Sequence, residues 1–141
     1  MKILDKVYDE LENFKSKNVS FISHEGFVAS AIGTILEIIE RNDPIRLTLI
    51  HSASKSQNFY FSEVLKEVES TGKLKYIQIL KYDQFEWEGI TGFITPDLLL
   101  EYLPIEEKDH FVIVSGPVAE TNVLAEVLPD AMIQPWQIIY Y

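Results

Sequence analysis

Apolar residues along this chain form short runs that alternate with longer stretches of helical periodicity. In the first such stretch, charged side chains separate apolar residues that share one helical face: Ile3, Leu4, Val7, Tyr8, Leu11 and Phe14. This pattern predicts an amphipathic N-terminal helix over residues 1–18. The next run, residues 19–23, has the length and apolar character of a buried strand. A long apolar segment typical of a buried helix follows it after His24-Glu25-Gly26.

The same strand and helix pattern repeats to the end of the chain. Further strands are predicted over residues 45–51, 74–80, 111–115 and 137–141. Asn58 is predicted to cap the helix after the second strand, which is expected to bury four apolar side chains: Phe61, Val64, Leu65 and Val68. Thr95 is predicted to cap the next helix with Pro96 at its first position, and Pro117 to start a last helix that ends near residue 128.

Five strands that alternate with helices predict a doubly wound α/β fold. Each crossover between parallel strands needs a helix and is right-handed, so helices should cover both faces of the sheet. We expect one Rossmann-like domain over residues 19–141, with a five-stranded parallel sheet in three layers. Ligands bind such sheets beyond the carboxyl ends of the strands, which here are the segments 23–26, 51–56, 81–92 and 115–117.

Composition narrows the classes of function. The chain has 141 residues and a net charge of −10, which opposes binding to nucleic acid or to an anionic membrane. It has no cysteine, so disulfides and thiol chemistry are excluded in this chain, and redox chemistry would need a bound cofactor. No apolar run reaches the roughly eighteen residues of a membrane span, and the N-terminus does not read as a signal sequence. We therefore expect a cytoplasmic protein without membrane insertion.

The corner Ser115-Gly116-Pro117 follows the fourth predicted strand. Gly116 would let the backbone turn without a Cβ in the way, and the following helix N-terminus would offer N–H groups to a ligand. The same residue types also occur at strand-to-helix corners that bind nothing. Two other kinds of site stay open at this point, both on residues at or after strand ends. A metal site could use His24, Glu25 and His51, and a hydrolytic site could use Ser115, His24 and Glu25.

Two long segments indicate a protein family: GFITPDLLLEYLPIEEKDHFVIVSGPVAETNVLAEVL and LTLIHSASKSQNFYFSEVLKEV. They resemble the NAD(P)-binding domain of the ferredoxin-NADP reductase superfamily, and the likeness extends from residue 19 to the end. The resemblance implies a pyridine-nucleotide-binding domain or subunit of a flavin-dependent oxidoreductase, which holds NADH or NADPH for hydride transfer to flavin. It also implies a set of positions that contact the nucleotide: Glu25, Gly26, Phe27, Ser52, Ser54, Lys55, Ser115, Gly116, Pro117 and Glu120.

Three departures from that family bear on the function. Ser23-His24-Glu25-Gly26 replaces the family's glycine-rich turn, which puts the Glu25 carboxylate near the cofactor's phosphates; His24 is expected to face solvent. Ser115 stands where many relatives have a cysteine. Members of that family carry a flavin-binding barrel before this domain, and here one predicted helix takes its place. The resemblance therefore implies FAD or FMN on a partner or on a missing domain. The alternative is a degenerate member that no longer binds NAD(P) and acts as an assembly or regulatory module of a redox complex.

Overall fold

The computed structural model of the protein describes residues 17–105 and 109–140. The N-terminal helix predicted for residues 1–18 therefore lies outside the described residues, apart from Lys17 and Asn18. Asn18 is the first residue of strand β1, one residue before the predicted start of the α/β domain. The backbone N–H of Lys17 donates to a carboxylate oxygen of Asp109 at 3.2 Å. This bond ties the start of the domain to the residue before its fifth strand.

The described strands form one parallel six-stranded sheet in the spatial order β4-β3-β2-β1-β5-β6. They are β1 (Asn18–His24), β2 (Arg46–Ala53), β3 (Leu74–Leu80), β4 (Ile90–Thr91), β5 (His110–Ser115) and β6 (Ile138–Tyr140). Five of them confirm the predicted strands, and β3 has the predicted bounds. The prediction of five strands missed β4, whose two residues are too few to show a periodicity.

Four helices connect the described strands: α1 (Val28–Glu40), α2 (Ser62–Ser70), α3 (Pro96–Tyr102) and α4 (Val118–Asp130). The predicted cap of α3 is confirmed, because Thr95 Oγ1 accepts a hydrogen bond from the N–H of Leu98 at 3.2 Å. Pro117 is the N-cap of α4 and not its first helical residue, because its ψ of 153° is not helical, although its carbonyl already accepts the N–H of Thr121 at 3.0 Å. Pro117 therefore stands one position earlier in the helix than predicted.

Helix α2 differs most from its prediction. Asn58 ends a separate 3₁₀ turn, Ser56–Asn58, and does not cap α2. Leu65 is buried, but Phe61 and Val64 are 54% and 43% exposed. Phe61 lies outside the helix, at its N-cap with a φ of 62°, and a helix of nine residues lying on a sheet buries only a narrow stripe of its surface, so Val64 stays exposed.

The core fills both faces of the sheet. One face packs under α1 and α2, with Phe21 in the same cluster as Ile35 and Leu65. The other packs under α3 and α4, with Ile22 in the same cluster as Leu99 and Leu128. Because both faces are covered, every residue of β1 and β5 is buried, as is typical of central parallel strands. The predicted three-layer doubly wound fold is confirmed.

Strand order reverses between β1 and β5. The chain adds β2, β3 and β4 on one side of β1 and then returns to place β5 and β6 on its other side. In doubly wound sheets the loops at the carboxyl ends of the strands diverge at such a reversal and leave a crevice between them. The residues that follow β1 and β5 border this crevice.

Candidate functional site

Polar side chains from three strands meet at this crevice. His24 ends β1, and its Nδ1 lies 2.9 Å from the Oγ of Ser52 on β2. Ser115 ends β5, and its Oγ lies 2.8 Å from the Oγ of Ser23 on β1. The prediction that His24 faces solvent is wrong, since the residue is only 7% exposed. Its neighbours on β2 and α4 enclose the ring, a packing that no local pattern in the sequence could show.

The turn after β1 is the 3₁₀ turn Glu25–Phe27, which leads directly into α1. Glu25 has a φ of 47°, in the left-handed region that favours glycine. Its carboxylate has two polar neighbours: Oε1 lies 3.1 Å from Nε2 of His24, and Oε2 accepts a hydrogen bond from the side-chain amide of Asn58. The negative charge at this turn is therefore bound on both oxygens.

The corner at residues 115–117 lies against the same turn. A Cβ built on Gly116 would stand 3.3 Å from the Cβ of His24, closer than ordinary van der Waals contact. Ser115 is buried, and its Oγ lies 3.5 Å from the carbonyl oxygen of Phe27. Glycine at position 116 thus allows β5 to end in close contact with the end of β1.

Lys81 enters the site from the end of β3; it lies in the predicted strand-end segment 81–92 but is not among the ten positions that the resemblance implies. Its Nζ donates to Oε1 of Glu120, in the first turn of α4, at 2.6 Å. The same carboxylate oxygen lies 4.0 Å from Nε2 of His24. The ring of Phe93 lies beside the lysine, with its centroid 5.1 Å from Nζ. Its place directly after a predicted strand put Lys81 in that segment, but nothing in the sequence singled it out from its neighbours.

Two clefts open on either side of His24. The turn cleft has a volume of about 440 Å³ and is lined by His24, Glu25, Gly26, Phe27, Asn58, Tyr60 and Pro117. The strand-end crevice, bordered by Ser52, Lys81, Phe93, Ser115 and Glu120 among others, has a volume of only about 30 Å³. A molecule larger than water can enter the turn cleft as it stands, whereas the strand-end crevice must widen to admit a ring.

Seven of the ten positions implied by the resemblance line these two clefts: Glu25, Gly26, Phe27, Ser52, Ser115, Pro117 and Glu120. Gly116 lies directly against His24. Ser54, which is half-buried, and Lys55, which is exposed, follow β2 and line neither cleft. The structure thus brings together the residues after β1 and β5, but it leaves two residues of the β2 loop apart from them.

The metal and hydrolytic alternatives do not find the geometry they need. His51 is buried, and its two ring nitrogens bond to the Tyr76 hydroxyl and the Glu25 carbonyl instead of facing the crevice. Among residues 17–105 and 109–140, no group of three His, Asp or Glu side chains is placed to hold a metal ion. The hydroxyl of Ser115 bonds to Ser23 and approaches Phe27, while Nδ1 of His24 bonds to Ser52, so these two side chains do not form a nucleophile and base pair.

The sequence of this domain matches a known protein family. The family model described as oxidoreductase NAD-binding domain matches residues 28–123, which is more than half of the chain. The chain belongs to the oxidoreductase NAD-binding domain family. This confirms the resemblance inferred from the two long segments. The match begins at Val28, directly after the Glu25–Phe27 turn, and so leaves out the part of the chain that departs from the family's glycine-rich turn.

Relatives of this NAD-binding domain are reductases of greater length. NADH-cytochrome b5 reductase 2 of Mus musculus is 24% identical over 105 residues, which are 68% of this chain and 38% of that protein. The plasma membrane-associated coenzyme Q6 reductase PGA3 of Saccharomyces cerevisiae is 25% identical over 108 residues, 71% of this chain and 35% of that protein. The chain thus spans less than half of the length of these curated relatives.

Solved structures share the fold of this NAD-binding domain. The cytochrome b5 reductase domain of Ulva prolifera nitrate reductase superposes with a TM-score of 0.80 at 13% identity, covering 89% of this chain and 49% of that chain. The CS-b5R domains of human Ncb5or, in the NAD⁺ form, give a TM-score of 0.78 at 17% identity, covering 93% of this chain and 38% of that chain. In the part of this domain that the structure describes, no helix is long and apolar enough to cross a membrane.

Proposed function

We propose that this domain binds NADH or NADPH across the carboxyl ends of β1 and β5 and presents the nicotinamide to a flavin held on another domain or subunit. One observation carries the proposal: the two helix-opening corners, Glu25–Phe27 and residues 115–117, flank the point where strand order reverses. Helix N-termini at such a point offer unpaired N–H groups to phosphate oxygens. Membership of an NAD-binding family supports the same site.

The turn cleft suits the phosphates of such a nucleotide. Gly26 carries no side chain, and even a Cβ built there would stand 3.8 Å from the ring of Tyr60, so the backbone of the turn is accessible. Phe27, which is 48% exposed, adds an apolar surface at the edge of the cleft. These features allow the pyrophosphate to approach the N–H groups at the start of α1.

The other predicted contacts extend from this cleft in two directions. Ser115, Gly116, Pro117 and Glu120 would lie beside the nicotinamide, in agreement with the family resemblance. Ser52, Ser54 and Lys55 would face the adenosine ribose from the end of β2. Widening of the strand-end crevice past the exposed ring of Phe93 would admit the nicotinamide.

Charge opposes this binding only in part. Glu25 is bound by His24 and Asn58, and Glu120 is bound by Lys81. The Lys81 ammonium offsets part of the Coulomb repulsion that Glu120 would otherwise exert on a pyrophosphate, whereas the contacts of Glu25 hold its carboxylate in place. We therefore expect nucleotide binding that is weaker than a turn built from glycines alone would give.

The reaction would divide between this chain and another. The nucleotide supplies a hydride from its dihydronicotinamide ring, and FAD or FMN on a second domain or subunit accepts it. The residues of this chain hold and orient the ring. Ser115 is fixed for that task by its contacts with Ser23 and the carbonyl of Phe27, which keep the end of β5 in place.

Isothermal titration calorimetry with NADH and NADPH tests the proposal. Gly26→Leu places a side chain in the turn cleft and should weaken binding by about tenfold or more, equivalent to at least about 1.4 kcal/mol. Gly33→Leu is the matched control, because Gly33 is an exposed glycine of α1 and a Cβ at that position would have nothing within 4 Å. Absence of heat with both nucleotides at millimolar concentration would rule the proposal out.

A second candidate function rests on Glu25. A carboxylate at the first residue of the turn, clamped by His24 and Asn58, is the feature expected of a degenerate member that serves as an assembly or regulatory module. The double substitution of His24→Gly with Glu25→Gly separates the two functions. If only the doubly substituted protein binds NADH, the natural chain is the degenerate module; if both bind, it is the nucleotide-binding domain.

A further inference from the structure

His51 lies beneath the turn cleft at a position that the proposed binding does not use directly. Its side chain is fully buried in β2, and the ring of Phe59 packs edge-on against it at 5.2 Å between centroids. Nε2 lies 2.9 Å from the carbonyl oxygen of Glu25, and Nδ1 lies 2.8 Å from the hydroxyl of Tyr76 on β3. The side-chain amide of Gln78 donates to that hydroxyl at 3.2 Å.

The direction of these hydrogen bonds follows from their chemistry. A carbonyl oxygen can only accept, so Nε2 of His51 must carry the proton that it shares with Glu25. Burial lowers the pKa of His51 to about 4, so near neutral pH its other nitrogen is an acceptor and the Tyr76 hydroxyl donates to it. The chain of donors therefore runs from Gln78 through Tyr76 and His51 to the backbone of Glu25.

The backbone carbonyl of Glu25 is the hydrogen-bond acceptor that holds the turn. It accepts both the His51 bond and the backbone N–H of Val28, the first residue of α1. Glu25 holds a φ of 47°, a left-handed conformation that is strained for a residue with a side chain but costs glycine almost nothing. An external bond that fixes this carbonyl can offset that cost.

We propose that His51 is a positioning residue that holds the Glu25–Phe27 turn in its nucleotide-accepting shape, a task that glycine at position 25 would perform by its own backbone freedom. The part of this inference that concerns nucleotide affinity rests on the proposed function. The part that concerns the shape of the turn does not, and it can be measured on the protein without any ligand.

Amide hydrogen exchange of the ligand-free protein tests the turn itself. His51→Leu should raise exchange at Val28 by about tenfold more than its effect on global stability explains. His110→Leu is the matched control, because His110 is also a buried histidine of the sheet but lies at the start of β5, where it bonds to Ser20. Equal exchange at Val28 in the two variants, after correction for stability, would overturn the inference.

Two further variants keep the inference testable if His51→Leu folds poorly. Tyr76→Phe removes only the hydroxyl that donates to Nδ1, and it should raise exchange at Val28 in the same direction by about two- to threefold. Glu25→Gly removes the backbone cost, so the His51→Leu effect on exchange should be much smaller in a Glu25→Gly background. Additive effects of these two substitutions would contradict the inference.

Nucleotide affinity supplies the remaining measurement. His51→Leu should weaken NADH binding by about tenfold, whereas His110→Leu should leave it within about twofold of the natural chain. If the natural chain binds no nucleotide, the proposed function fails and the exchange result alone decides the role of His51. If the natural chain binds and both histidine variants bind as it does, the positioning role fails and the proposed function stands.

Discussion

Two of the buried histidines, His51 and His110, should make this protein less stable in mild acid. His51 and His110 are 0% and 1% exposed, and burial lowers the pKa of each from 6.5 to about 4. Asp109, beside His110, opposes this effect but does not reverse it. A pKa that falls from 6.5 to about 4 on folding corresponds to roughly 3 kcal/mol for each residue.

The sign follows from where the proton binds. Between about pH 6.5 and pH 4 the unfolded chain binds a proton at each histidine and the folded chain does not, so acid favours unfolding. The stabilisation is complete above the unfolded pKa of 6.5 and is lost as pH falls towards 4. With both residues, the free energy of unfolding should fall by about 2.7 kcal/mol per pH unit in the middle of this window.

Urea denaturation followed by far-ultraviolet circular dichroism at a series of pH values between about 7 and 5 measures this slope. Carboxylates contribute mainly below this range, which keeps the histidine signal separate. His51→Gln and His110→Gln should each remove about half of the slope, and the double variant should be nearly independent of pH. A natural chain whose stability is flat from about pH 6.5 to pH 5, or a double variant that keeps the full slope, would refute the reasoning.

Three other predictions concern single side chains. Gly33→Ala, on the exposed face of α1, should raise the free energy of unfolding by roughly 0.5–1 kcal/mol in urea denaturation, because alanine is the better helix former. Thr95→Ala should lower it by about 1 kcal/mol in the same assay through loss of the bond to Leu98, and Thr95→Ser should restore most of it. Lys81→Met should weaken NADH binding about threefold to tenfold in calorimetry, because Glu120 then lacks its cationic partner beside the crevice. Unchanged affinity would show that Lys81 is not part of the binding site.

Much of the candidate site could be predicted because strand ends are visible in the sequence. The runs before His24 and before Gly116 are apolar and short, so the residues that follow them must meet at one edge of a parallel sheet. Lys81 occupies the same kind of position after β3, yet its partner Glu120 is 39 residues away. A contact at that separation depends on how α4 packs over the sheet, which local periodicity does not encode.

Other expectations failed for the same reason. Asparagine is a residue type that often caps helices, but the side-chain amide of Asn58 donates a hydrogen bond to Glu25 instead, which is distant in sequence. His24 has the character of a loop residue, but β2 and α4 enclose it. Polar side chains form hydrogen bonds with whichever groups the fold brings near them, so their roles are less predictable than those of apolar residues.

By itself, the sequence determined the fold class, because the alternation of short apolar runs with helical periods can be buried only as a parallel sheet between two layers of helices. It also determined which corners border the crevice. Only the tertiary structure decided how a turn that has Glu25 before its one glycine, Gly26, is held: Glu25 is left-handed, its carboxylate is bound by His24 and Asn58, and its carbonyl is bound by His51. These contacts join residues of β1, β2 and the β2 loop, and they exist only once the strands lie side by side.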